Sequence, residues 1–181
     1  MKIKLTVAAM ALATAATFST SASALSLGLD TGWQPFSFGD VGSSWSDDFT
    51  FTISGPAYFA VTDAYCAGDQ FAFAVNGTNI GNTSVPFYDG TCSDGTTRTT
   101  DPAFAYSSSL WSHGEIMLGA GTYTITGTTV LSPFGSGGAF AQLSSKSLGG
   151  PGIGAVPVPA AGVLLLTAFG GFAALRRRKT A

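Results

Sequence analysis

Asp48-Phe49-Thr50-Phe51-Thr52-Ile53-Ser54 sets apolar and polar residues in strict alternation. Side chains on a strand leave opposite faces at each step, so Phe49, Phe51 and Ile53 line one face and Thr50, Thr52 and Ser54 the other, the pattern of a half-buried strand. The same period of two recurs in Phe71, Phe73 and Val75, and in Tyr123 and Ile125 set between threonines. Asn76-Gly77 directly follows one of these runs and accepts the positive φ values of a tight hairpin turn, leading to a short strand over 78–80. Gly119-Ala120-Gly121 is expected to make a second hairpin between 115–118 and 122–126. Further strands are expected over 58–62, 85–88, 128–131 and 139–143, and 90–102, rich in Thr, Asp, Ser and Gly, is expected to form a long surface loop. No stretch carries a helical stripe, and no repeat of fixed period is present. Short strands punctuated by glycine turns imply antiparallel pairing and two packed sheets: an all-β fold, an antiparallel and jelly-roll-like β-sandwich over 25–143.

The ends of the chain have a different character. Lys2 and Lys4 precede an apolar run over 5–18, broken only by Thr6, Thr14 and Thr17, and Ala22-Ser23-Ala24 places small residues where a signal peptidase reads them. The run is apolar on all sides rather than striped, so 1–24 is expected to be a secretory signal peptide, cleaved after Ala24 to leave Leu25 as the mature N-terminus. With both ends removed, the remaining 25–155 hold all ten carboxylates against only Arg98 and Lys146, a formal charge of −8. Such a body repels phosphate backbones, which excludes nucleic acid as a partner and leaves cationic ligands or divalent metals open.

Cys66 and Cys92 are the only two cysteines. In an oxidising compartment they are expected to form a disulfide, which on the chain-entropy model would contribute about 3.5 kcal/mol; two buried free thiols are the competing reading. A metal pair is disfavoured because no His or third Cys lies nearby. From 144 to 155 the composition turns to Ser and Gly, including Gly149-Gly150-Pro151-Gly152, which suggests a flexible linker. No Lys-Ser/Thr element flanks those glycines in the manner of a phosphate-binding loop.

Beyond the linker, Val156-Pro157-Val158-Pro159-Ala160-Ala161 precedes a run of apolar and small residues to Leu175, and Arg176-Arg177-Arg178-Lys179 follow. The stretch 156–175 would span about 30 Å as a helix, matching a bilayer core. Its two prolines sit where the first turn tolerates them, and the basic cluster would remain on the cytoplasmic side. Motif, spanning segment and basic cluster in this order resemble the VPLPA-CTERM variant of the PEP-CTERM sorting signals of Gram-negative bacteria, with Val158 where the variant has leucine. The resemblance covers 156–181. It implies an inner-membrane-anchored precursor whose single transmembrane sorting helix is handled by an exosortase acting near 156–161. The product is then delivered to the cell surface or to an extracellular, exopolysaccharide-rich matrix. An ordinary permanent anchor is the alternative. The body is also similar to acidic, β-rich domains found ahead of such tails, through Val61-Thr62-Asp63-Ala64, Gly68-Asp69-Gln70-Phe71, Asn76-Gly77 and Ser112-His113-Gly114 with Leu118-Gly119-Ala120-Gly121.

Three groups of residues invite a chemical reading. His113, the single histidine, lies beside Ser112 and Glu115, but no G-x-S-x-G elbow exists, and a structural histidine is the expectation. No catalytic residue and no metal ligand is therefore assigned, and no cofactor is expected. Asp47, Asp48, Asp63, Asp69, Asp89 and Asp94 offer hard oxygen ligands to calcium without the spacing of a calcium loop; turn aspartates more often bond their own backbone. Trp33, Trp45 and Trp111 would be either core or a sugar-stacking platform. The sequons at Asn76 and Asn82 are formal matches only. The expected function is that of a noncatalytic surface or matrix protein, the alternative a carbohydrate- or calcium-binding module on the same scaffold.

Overall fold

The computed structural model describes residues 23–153, which are mostly strand with a single short helix. Most of the expected leader, with Ala22, and the whole sorting tail from Val156 through the 176–179 basic cluster lie outside the described residues. Among the described residues no helix is long and apolar enough to cross a membrane.

The elements run β1 (Ser23–Ser26), β2 (Gln34–Phe38), β3 (Asp47–Ile53), β4 (Ala57–Asp63), β5 (Tyr65–Cys66), β6 (Gln70–Val75), β7 (Thr78–Asn82), β8 (Arg98–Thr99), α1 (Pro102–Ser107), β9 (His113–Leu118), β10 (Gly121–Leu131) and β11 (Gly137–Ser144). One sheet has the order β1-β3-β10-β6-β7, the other β2-β11-β4-β9, and β5 pairs with β8 in a small ribbon. All these pairs are antiparallel except β1 with β3.

The alternation in the sequence builds the space between the sheets. Phe49, Phe51 and Ile53 of β3, Phe71, Phe73 and Val75 of β6, and Tyr123 and Ile125 of β10 all point into one core, where Phe36, Phe38, Phe59 and Val61 meet them from the opposite sheet. The rings cross between layers in edge and tilted contacts: Phe36 with Phe49 at 5.3 Å, Phe38 with Phe71 at 4.9 Å, Phe59 with Phe73 at 6.0 Å. These geometries suit the ring quadrupoles and add to the stabilisation from burial. Trp45 closes one part of this core by lying flat on β10. A Cβ at Gly127 would sit 2.0 Å from the indole, so only glycine fits there.

The hairpin at Asn76-Gly77 is present, with φ of 50° and 78°, as a two-residue turn of this type requires. The expected strands at 58–62 and 139–143 are β4 and β11, and 128–131 is the continuation of the single long strand β10. Four readings are corrected. Gly119-Ala120-Gly121 does not close a hairpin: β9 pairs with β4 in one sheet and β10 with β3 and β6 in the other, so this turn carries the chain between layers. Residues 85–88 are loop, not strand, with Val85, Phe87 and Tyr88 exposed. The loop over 90–102 contains β8, and α1 follows it. The Asp101 carboxylate caps α1 by accepting from the amides of Ala103 and Phe104, and Pro102 opens it, an N-terminus that a six-residue helix shows only through its cap.

The fourth correction concerns the linker. Over 144–153 it is held against the fold. The Glu115 carboxylate accepts from the Leu148 amide at 2.8 Å, from the Ser147 hydroxyl and from Tyr106 at 3.2 Å. Glu115 and the segment also exchange backbone bonds, Glu115 N to Pro151 O at 3.1 Å and Ile153 N to Glu115 O at 2.9 Å. Ile153 is buried over Gly114 of β9 and near Gly81 of β7, the edge strands of the two sheets. This strap covers the free edge of β9, which would otherwise present unpaired backbone groups.

The two ends of the fold are unlike. At one end lie the short connections 54–56, 76–77 and 119–120, together with 27–33, which crosses from β1 to β2. At the other lie 39–46, 64–69, 83–112 and 132–136, with β5, β8, α1 and the disulfide among them.

Candidate functional site

Binding and catalytic groups are commonly carried on loops that a rigid scaffold positions, and here the scaffold gathers its long loops at one end. Strand parity brings two acids together there. Asp63 lies two residues beyond Val61 on β4, Asp69 two residues before Phe71 of β6, and all four are buried.

Asp63 organises the loop between β4 and β6. Its Oδ1 accepts from the Ala64 amide at 2.7 Å and its Oδ2 from the Asp69 amide at 3.2 Å, with the Gly68 amide as a third donor. Burial, and then the charge of Asp69, nevertheless push its pKa well above the usual carboxylate range. Asp69 is 5% exposed. Burial raises it to about 6, opposed by a hydrogen bond from Ser132, and its Oδ1 has no partner among the described residues.

Beside Asp69 a cavity of about 310 Å³ opens between the loops, with Val41, Pro86, Tyr88, Leu131 and Pro133 as largely apolar walls, and Gly68 and Ser132 as the lining nearest that acid. Gly68 has φ of 139°, and a Cβ there would meet Pro133 at 2.7 Å and Tyr88 at 3.2 Å, so a side chain would fill the place where these two walls approach. Tyr88 is half exposed and rests edge-on against Phe134 at 5.6 Å. A pocket of this size with few polar groups and a perturbed acid beside it is the physical profile of a small-ligand site. None of its apolar lining stands out in the sequence; the one trace is the cluster of large apolar residues at 85–88, which β-propensity presents as a strand.

The other candidates are dispersed. The Ser112 hydroxyl is buried against the Ser84 carbonyl and the Thr83 hydroxyl, while His113 Nδ1 lies 2.8 Å from the Trp111 carbonyl and its ring packs on Tyr106 at 5.1 Å. Glu115 is committed to the strap, and beside it the Tyr106 phenol is pushed upward by burial and by that carboxylate. These three residues therefore form no hydrogen-bonded relay. Trp45 belongs to the main core, Trp111 to a small cluster with Ala67 and Ala105, and Trp33 packs on Tyr106 at 5.3 Å, so no common tryptophan face exists. Asp94 pairs with Arg98 at 2.7 Å. Asp89, bonded by Thr91, is held below the usual carboxylate range, and Asp47 accepts from Ser46 at 2.7 Å. Among the described residues no three of the Asp, Glu, His and Cys side chains converge on a point that would hold a metal ion. Cys66 and Cys92 are joined as a disulfide, Cα atoms 5.1 Å apart, which ties β5 to the loop ahead of β8.

No protein-family model, no curated protein and no solved structure matches this chain.

Proposed function

We propose that the chain is a noncatalytic surface or matrix protein of the bacterial envelope, exported by its leader and sorted and processed by an exosortase through the 156–181 tail. Its body is a jelly-roll sandwich: set aside β1 and the β5/β8 ribbon, and the sheet orders β2-β11-β4-β9 and β3-β10-β6-β7 are those of two interlocked Greek keys. The observation that carries this reading is the order of proline motif, apolar run and basic cluster over 156–181, and the direction of the strap is compatible with it. Gly152 bridges Glu115 in parallel, so the chain reaches Ile153 while running with β9, from the long-loop end toward the short-turn end. A tail anchored in a membrane would thus emerge toward the short turns and leave the loop end facing outward. The disulfide suits an oxidising compartment.

Mass spectrometry of the protein from the cell surface or medium tests the route: the expected mature chain starts at Leu25 and ends within or before 156–161. An intact Arg176-Arg177-Arg178-Lys179 terminus on the released protein defeats it.

The loop-end cavity favours a second reading on the same scaffold, a binding module displayed at the surface. Calcium and carbohydrate are its sequence-level candidates; the dispersed tryptophans and the absence of a third converging acid among the described residues give neither a ready-made platform nor a complete ligand set.

A further inference from the structure

The groups around the loop-end cavity are short of hydrogen-bond donors. Ser132 owns one hydroxyl proton yet faces two acceptors, the Gly135 carbonyl and the Asp69 carboxylate. Asp69 Oδ1 has no donor among the described residues, and the Gly68 amide is turned toward Asp63. Of the body's two cations, Arg98 is paired with Asp94 and Lys146 neighbours Asp30 on another part of the surface. The cavity walls are otherwise apolar, apart from the Tyr88 phenol.

We propose that this cavity binds a small organic ammonium ion, a compact apolar body carrying one NH₃⁺ group. An ammonium brings three donors and no acceptor, the complement of what the site lacks. Set against Ser132, it donates to Oγ and to the Gly135 carbonyl, and the Ser132 proton then turns wholly to Asp69. Its carbon skeleton packs on Val41, Leu131 and Pro133, and the half-exposed Tyr88 ring offers a face to the charge. Competing chemistries fit less well. A neutral sugar brings an acceptor with every donor and would strand hydroxyls against proline and leucine. An anion would meet the ten carboxylates of the body. The inference rests on the binding-module reading and is independent of the sorting tail.

The test uses the full exported chain, with chemical-shift changes at the Gly68, Leu131, Ser132 and Gly135 amides as readout. The probes are n-butylammonium and methyl glucosaminide, each against its neutral counterpart, n-butanol and methyl glucoside. Saturable shifts are expected for an amine, with the neutral partner weaker by about tenfold or more, the worth of a charge-assisted hydrogen bond. Response to the alkylamine, with or without the amino sugar, supports the proposal; response to the amino sugar alone would overturn the apolar body that the walls select. Asp69→Asn and Ser132→Ala should each weaken the amine by about tenfold. The thermal unfolding transition serves as fold control, and Ser132→Ala carries the test if Asp69→Asn does not fold. Neutral probes binding as tightly as amines would overturn the ammonium and leave a binding module standing; no response to any probe would overturn both. An amine that binds both variants undiminished would also overturn it.

Discussion

Replacing Glu115 with alanine should free the strap without unfolding the sandwich. The carboxylate holds three donors from 147–148 and α1, and hydrogen bonds to a charged group contribute about 1.5–3 kcal/mol each, less when they share one acceptor. Their joint loss should lower the local stability of the strap by about 3–6 kcal/mol, which is roughly 10²- to 10⁴-fold in the opening equilibrium. Amide hydrogen exchange reads this directly, because the Ile153 amide is bonded to the Glu115 carbonyl at 2.9 Å and exchanges only when the strap lifts. Protection at Ile153 and Leu148 should collapse, while amides of β3 and β10, deep in the other sheet, keep theirs. Glu115→Gln keeps the shape but loses the charge and turns one acceptor into a donor, which only the Ser147 hydroxyl can turn to accept, so with the amide oxygen left on Leu148 and Tyr106 its effect should be about a tenth to a hundredth of that fold-change. Unprotected Ile153 in the unaltered chain, or unchanged protection in Glu115→Ala, would refute the docking of this segment.

Further outcomes concern the loop end and the core. Asp69 sits at about 6 against 3.8 for an ordinary carboxyl, so the folded state holds its proton more tightly than the unfolded state. Its stabilising contribution is complete below pH 4 and is lost as pH rises through 6, on the order of 3 kcal/mol by pH 7. Denaturant midpoints taken from pH 4 to 7 should fall less steeply in Asp69→Asn than in the unaltered chain, and parallel curves would contradict the assignment. Cys66→Ser should cost about 3.5 kcal/mol, given a closed loop with a separation of 26 residues; calorimetry showing no drop in melting temperature would count against the bridge. Gly127→Ala forces a methyl into the Trp45 indole and should destabilise by about 1–3 kcal/mol, with altered tryptophan fluorescence as the local readout.

Much of the sandwich is legible because its core strands alternate cleanly. Phe49, Phe51 and Ile53, or Phe71, Phe73 and Val75, carry their burial in their spacing, and Asn76-Gly77 carries its turn in its backbone preference. Pairing is not written in this way. Gly119-Ala120-Gly121 signals a turn, but a turn can return the next strand beside the last or pass it to the opposite layer, and only long-range contacts decide. Leu118 and Tyr123 are apolar in either case. The strap is hidden for a different reason: its composition is that of a linker, and it is ordered by one buried carboxylate and one isoleucine, Glu115 and Ile153. Asp63 and Asp69 each look like turn aspartates; their meeting depends on parity at the ends of two strands in different sheets. The cavity walls come from loops whose conformation no periodicity describes.

On the proposed route, the two processing steps fall differently with respect to folding. Ser23 and Ala24, on the leader side of the expected cleavage, already pair with Asp47 and Asp48 in β1. A peptidase needs that stretch extended and free, so cleavage after Ala24 precedes the docking of β1, and the mature chain keeps only Leu25 and Ser26 of the strand. The other end has no such conflict. Ile153, the last described residue, is buried, and Val156 follows three residues later, a reach of about 10 Å at most. On this route the body would fold, form its disulfide and seat its strap before the motif is processed, and an enzyme in the membrane would meet a finished domain. The loop end, with its cavity and its acids, would then stand away from the membrane before release as well as after it.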